Sequence, residues 1–244
     1  MVDNALKFGS NINIMKLLIQ IHEKDEYTYS HSVNVGLMSM LFGRWLNLNK
    51  KEIKKLTYAG FLHDIGKARV SDEILNKDGS LTEEEYNQMK KHSISGYKLI
   101  QNSMYISDQV AQAVLLHHER KDGTGYPLGI EGNKIPYFAR IIGIVDTFDA
   151  MTSDRVYKKH QVPLDVLKKL NRDSLQTFDI VLLKTFTRNM ISYYQGEKVR
   201  LSNGEIGELV YIKPDMPTEP IIKVDDHYVD IRKSDLYIED ICQD

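Results

Sequence analysis

The chain has 244 residues, 42% of them apolar and 27% charged, with a formal net charge of −2. This fits a globular chain of one large domain, or one plus an accessory piece. No apolar run is long enough to span a bilayer, MVDNALKFGS lacks a signal-peptide pattern, and the single cysteine, Cys242, leaves no internal disulfide. A cytoplasmic setting without membrane association is therefore expected.

Residues 195–244 carry 6 Lys+Arg against 12 Asp+Glu, and residues 1–194 carry 26 against 22. The mildly basic first part suits an anionic ligand, while no polybasic run points to DNA. Apolar residues recur at helical spacing over 11–23 (NINIMKLLIQIHE) and 28–46 (TYSHSVNVGLMSMLFGRWL). Asn49 is placed to cap a helix through KKEIKKLTYAGFLHDIG, whose apolar face runs Ile53, Leu56, Phe61 and Leu62. A loop is expected over 68–81, through NKDGS. Thr82 and Glu85 then make a capping box opening a helix that contains Tyr86, Met89 and His92. SDQVAQAVLLHH reads as the next helix. Pro136 and Pro163 each suit the first position of a helix, the first before FARIIGIVDTFDAM and the second before a short one ending near Arg172. FDIVLLKTFTRNMISYY closes the helical body, read as 1–194. From 195 to 244 the pattern changes to a small antiparallel β appendage, with a hairpin at Asn203-Gly204 and a second strand pair from PIIKV through HYVDI.

The chemistry gathers around His117–Pro127, HHERKDGTGYP. Two adjacent histidines at a helix end offer two imidazoles about 100° apart, able to converge on a metal from one backbone segment. DGTGYP is loop chemistry, and loops on rigid scaffolds carry binding residues. Upstream lies His63-Asp64 in HDIGK, where the carboxylate can bridge two metals while the histidine holds one. Lys67 follows by about one turn, placed to touch a phosphate. His31 and His92 lie on helices. Asp146 interrupts the apolar run RIIGIVD on a face that should be buried, where a carboxylate needs a compensating cation. Mixed imidazole and carboxylate ligands suit Fe, Mn, Ni or Zn and argue against a structural thiolate zinc site. His22, His160 and His227 read as surface or structural residues.

From about Glu26 to Phe178 the chain resembles the HD-GYP branch of the HD phosphohydrolase superfamily. The resemblance rests on YTYSHS, HDIGK, the helix with His92, HHERKDGTGYP, and IP followed by RIIGIVDTFDAMTSDR. It implies a mainly α, HD-type helical bundle with a two-metal site that hydrolyses cyclic di-GMP to pGpG, and onward to GMP in some members. His31, His63, Asp64 and Asp146 would hold one metal. Asp64 would bridge to a second, held by His92, His117 and His118. Lys67 would contact the substrate phosphate, Arg155 and Lys158 would grip the nucleotide, and Gly125, Tyr126 and Pro127 would form the loop linked with docking of diguanylate cyclase (GGDEF) domains. The resemblance is also compatible with a homodimer. Members with three metals carry a glutamate four residues before the first histidine. Here that residue is Tyr27, so two metals are expected.

Hydrolysis of a phosphodiester at neutral pH needs an activated water and positive charge on the phosphoryl oxygens, which metals and Lys67 would provide. Asp149, about one turn beyond Asp146, is placed to orient the attacking hydroxide or a metal ligand. Ligand residues alone leave two other readings open. One is an HD phosphohydrolase for another nucleotide, such as cyclic GMP-AMP or a (p)ppGpp-like compound. The other is a non-catalytic cyclic di-GMP receptor acting through a partner.

Overall fold

The computed structural model describes residues 19, 22, 24–103, 106–153, 161–174, 176–213 and 216–242. Arg155, Lys158 and His160 lie outside these residues, as does the helix expected over 11–23 apart from Ile19 and His22, both helical.

The helical body begins with α1 (Glu26–Trp45), capped by Asp25, whose side chain accepts from the Tyr27 N–H. Asn49 and Glu52 form a reciprocal capping box that opens α2 (Lys50–Leu62). The two helices pack closely along their length. A Cβ on Gly60 would lie 2.8 Å from the Gly36 Cα, and one on Gly36 would meet the Phe61 ring at 2.6 Å.

The helix expected to run through HDIG instead stops at Leu62. His63 is its C-cap, and the backbone tightens into a 3-10 turn over Ile65–Arg69. A short α3 (Asp72–Leu75) interrupts the expected loop at 68–81. The capping box at Thr82 opens α4 (Glu83–Met89), but this helix ends before His92, which begins a separate α5 (His92–Ile100). Next come α6 (Asp108–Leu116), α7 (Tyr137–Thr152), α8 (Pro163–Asp173) and α9 (Ile180–Tyr194). Pro163 opens α8 as expected, whereas Pro136 is the cap of α7 rather than its first residue.

Helix α7 is the centre of the bundle. Ile141, Ile142, Ile144 and Val145 are all fully buried, so apolar residues surround it on every side. Asp146 and Asp149 are the two charged residues buried on this helix among those described.

The sheet follows as β1 (Lys198–Leu201), β2 (Ile206–Lys213), β3 (Met216–Val224), β4 (His227–Asp230) and β5 (Ile238–Ile241), antiparallel throughout in the order β4-β3-β2-β1-β5. Gly204 at φ +87° sits in the turn between β1 and β2, and Asp225 at φ +48° in the turn between β3 and β4. Along β2, Gly207, Leu209 and Ile212 turn inward. One contiguous apolar cluster runs from Phe42 and Leu56 through α7, Leu167 of α8 and Phe186 of α9 to Val199, Leu209 and Ile222 of the sheet. The helices and the sheet thus share a single core, joined chiefly where α8 packs on β3.

Candidate metal centre

Five segments deliver side chains to one end of the bundle, and backbone contacts set their positions. The 3-10 turn lets Gly66 touch the start of α5, where a Cβ at this residue would stand 1.9 Å from the His92 carbonyl oxygen. That approach brings His63-Asp64 against His92. Similarly, a Cβ on Gly143 would lie 2.7 Å from the His117 carbonyl oxygen, so α7 presses directly on the end of α6.

The imidazoles are aimed by their Nδ1 atoms. His63 donates Nδ1–H to the Gly60 carbonyl at 2.8 Å, His92 to the Met89 carbonyl at 2.8 Å, and His117 to the Val114 carbonyl at 2.9 Å. Each bond reaches back three residues and leaves Nε2 bare and pointing inward, the tautomer a metal requires. His31 is held differently. Its Nδ1 lies 2.6 Å from Asp149 Oδ2, while its Nε2 is 3.1 Å from Asp146 Oδ1 and 3.2 Å from His63 Nε2.

The atoms fall into two sets that share Asp64. His31, His63 and Asp64 form one, and Asp64, His92, His117 and His118 the other, with all ligand atoms of a set within 4.8 Å of one another. Asp146 faces both, with Oδ1 3.8 Å from His63 Nε2 and Oδ2 3.8 Å from His118 Nδ1. Asp64 Oδ1, His92 Nε2 and His117 Nε2 are buried without a hydrogen-bond partner. Three unpartnered acceptors converging on one spot would each carry a desolvation cost. A bound cation would remove that cost, so the donor set fits divalent metal.

The electrostatics agree. Burial favours a protonated Asp64, but the Lys67 ammonium, with Nζ at 2.7 Å, holds the carboxyl well below its usual range. Asp146 is likewise held low against burial, chiefly by its bond to His31. Burial works to lower the His31 pKa, but its bonds to Asp146 and Asp149 prevail and lift it to about 9. In the absence of an ion, this proton and Lys67 carry the positive charge that the buried carboxylates need. Burial pushes His92 and His117 down, and His118 to about 3, so these rings stay neutral and available.

The structure therefore brings together His31, His63, Asp64, His92, His117, His118 and Asp146, with Lys67 on Asp64. Asp149 lies behind His31, bonded to its far nitrogen and to the Ser153 hydroxyl at 3.2 Å. Its contact is thus with the His31 nitrogen that faces away from the other imidazoles. Tyr126 turns inward and stacks on His118 at 4.5 Å between ring centroids.

One residue of the site region was not singled out in the sequence. Glu119 is 4% exposed, and its carboxylate accepts from the N–H groups of Leu128, Gly129 and Ile130 at 2.7, 3.2 and 3.1 Å. A carboxylate next to a glycine-rich loop, whose amides need acceptors, was the available signal. Arg120 beside it is mostly buried, donating to the His117 and Glu119 carbonyls and lying 4.9 Å from the Phe178 ring.

Known proteins resemble this chain in sequence and in fold. The HD domain family model matches residues 15–182. A cyclic di-GMP phosphodiesterase of Pseudomonas aeruginosa is 36% identical over 195 residues, which cover 80% of this chain and 47% of that protein. A 3'3'-cGAMP-specific phosphodiesterase of Vibrio cholerae is 34% identical over 176 residues, covering 72% of this chain and 41% of that one. The chain thus spans about half the length of these curated relatives. Among solved structures, an HDG"Y"P protein from Bdellovibrio bacteriovorus aligns with a TM-score of 0.54 at 22% identity, covering 66% of this chain and 51% of that one. No helix among the described residues is long and apolar enough to cross a membrane. With a family model matching well over half of its length, the chain belongs to the HD domain family.

Proposed function

We propose that the chain is a metal-dependent phosphodiesterase that opens cyclic di-GMP to pGpG. The observation that carries this reading is the convergence of buried, unpartnered Asp64 Oδ1, His92 Nε2 and His117 Nε2 beside Lys67. In this reading His31, His63, Asp64 and Asp146 hold one ion, and Asp64 with His92, His117 and His118 holds a second. Two ions, rather than three, follow from Tyr27, whose ring lies parallel to His31 at 5.8 Å and offers no carboxylate. Borderline donors of this kind accept Fe, Mn, Ni or Zn.

When bound, the ions supply an acidified water and positive charge beside the phosphoryl oxygens. The side chains do the rest. The Lys67 ammonium already pairs with Asp64 at 2.7 Å. It can turn from Asp64 to a phosphoryl oxygen, placing fixed charge where negative charge grows. Asp149 keeps His31 in one orientation, and burial of the imidazoles excludes competing water. Water adds to phosphorus, the ribose oxygen leaves, and the ring opens to a linear dinucleotide.

The test is hydrolysis of cyclic di-GMP by the purified protein, loaded with Mn²⁺ or Fe²⁺ under anaerobic conditions, with metal content measured on the same sample. Release of pGpG at about two metals per chain, abolished in Asp64→Ala, is the expected result. A fully loaded protein that turns over no cyclic dinucleotide would overturn the reading.

A further inference from the structure

The described residues given a role so far act on the metals and the phosphate, and none is assigned to the bases of a nucleotide substrate. At the rim of the site, Tyr86 and Lys90 lie one turn apart on the same face at the end of α4, just before His92. The Lys90 Nζ lies 5.0 Å from the centre of the Tyr86 ring and 6.0 Å from that of Tyr126. Tyr126 in turn stacks on His118 and meets His92 edge-on. Rings and the Lys90 ammonium therefore lead from His92 and His118 through Tyr126 out to Tyr86, which is 49% exposed.

Lys90 differs from two other lysines of this region in what holds it. Lys67 is held by Asp64 and Lys77 by Glu85, but no carboxylate among the described residues pairs with Lys90. Its ammonium is steadied by two aromatic faces and keeps its N–H donors free. An exposed phenol ring beside a phosphate-handling site is a surface on which a base can stack, whatever its identity. The ammonium adds selectivity. Guanine presents two adjacent acceptors, O6 and N7, whereas adenine carries an amino donor where guanine has O6. A donor-only group beside the ring therefore finds two acceptors on the guanine edge and one on the adenine edge, and binds guanine more strongly.

We propose that Tyr86 and Lys90 form a guanine subsite, with Tyr86 as the stacking platform and Lys90 as the donor that reads the base edge. The substrates are then cyclic dinucleotides that contain at least one guanine. This inference rests on the phosphodiesterase reading and deepens it. The two relatives described above carry names that each specify such a dinucleotide.

The experiment is equilibrium titration of the Mn²⁺-loaded protein with hydrolysis-resistant phosphorothioate analogues of cyclic di-GMP and cyclic di-AMP. Wild type is compared with Tyr86→Ala, Lys90→Met and Lys91→Met, each checked for an unchanged melting curve. Wild type should bind the guanine analogue at least about tenfold more tightly. Lys90→Met should bring the two affinities close together by weakening the guanine analogue more than the adenine one. Tyr86→Ala should weaken both by roughly fivefold or more, and Lys91→Met, which removes the same charge from the next residue, should leave the ratio intact. Equal affinities in wild type, or an unchanged ratio in Lys90→Met, would overturn the subsite while leaving the phosphodiesterase reading in place. A wild type that binds neither analogue would overturn both.

Discussion

Replacing Glu119 by alanine removes the acceptor for three consecutive backbone amides, at Leu128, Gly129 and Ile130. A hydrogen bond to an ionised acceptor contributes roughly 1.5–3 kcal/mol. Leu128 and Gly129 are exposed and Ile130 half-buried, so water takes over much of the lost bonding and the low end applies. The three bonds together then contribute about 4 kcal/mol. Holding Tyr126 to Ile130 in one conformation costs about 1 kcal/mol per residue in backbone entropy, a sum of similar size. The carboxylate is therefore what tips this segment into order. With these about 4 kcal/mol lost, the open form of the loop should rise by roughly a thousandfold. Hydrogen exchange resolved at single amides is the assay. Exchange at 128–130 should accelerate by about that factor in Glu119→Ala, and by less in Glu119→Gln, which keeps one carbonyl acceptor. The melting temperature should move little, because the opening is local. Unchanged protection at these three amides would refute the reasoning.

Gly66→Ala drives a methyl group into the His92 carbonyl oxygen and forces α5 away from the 3-10 turn. We expect a loss of about 3 kcal/mol together with reduced metal content per chain, read by chemical denaturation and elemental analysis. Asp149→Asn should weaken metal binding about 10- to 100-fold while leaving far-ultraviolet circular dichroism unchanged, because the far nitrogen of His31 loses its carboxylate. The metal-free protein should also lose stability as pH falls. His92, His117 and His118 have folded pKa values below the unfolded 6.5, so their stabilising contribution is present above that pH and fades as acid protonates the unfolded chain. His31, raised to about 9, acts in the opposite sense: its contribution is fully present below 6.5 and is lost as pH rises through 9. Each group changes stability by about 1.4 kcal/mol per pH unit in its window. The losses at His92, His117 and His118 outweigh the gain at His31, so the metal-free protein should be less stable at about pH 5.5 than at about pH 7.5. Denaturant midpoints of chelator-treated protein at the two pH values check this, and equal midpoints would contradict it.

Part of the site was legible from residue chemistry alone, whereas His31 and His92 stood out only through the resemblance to the HD-GYP family. A paired His117-His118 at a helix end and an Asp146 inside an apolar run both point to charge or metal. The helices were legible from their periodicity and caps, as at Asn49 and Thr82. What stayed hidden depends on contacts between segments distant in sequence. Gly66 reads as a tolerable helix residue until the His92 carbonyl is seen beside it, and the helix break there follows from that contact. Lys90-Lys91 gives no sign that one helix ends and another begins at His92. Strand β5, four residues with two acids, carries little alternation of its own and is defined by pairing with β1. Glu119 reads as one more charge in HHERKDG because its three partners lie 9 to 11 residues ahead.

The close approach at Gly66 also has a genetic consequence. A methyl group added at Gly36 strikes the Phe61 ring, a side chain, so a smaller residue at position 61 can restore the fit. One added at Gly66 strikes the main-chain oxygen of residue 92, which every amino acid carries. A selection for second-site revertants should therefore recover suppressors of Gly36→Ala at position 61. From Gly66→Ala it should return only reversion to glycine.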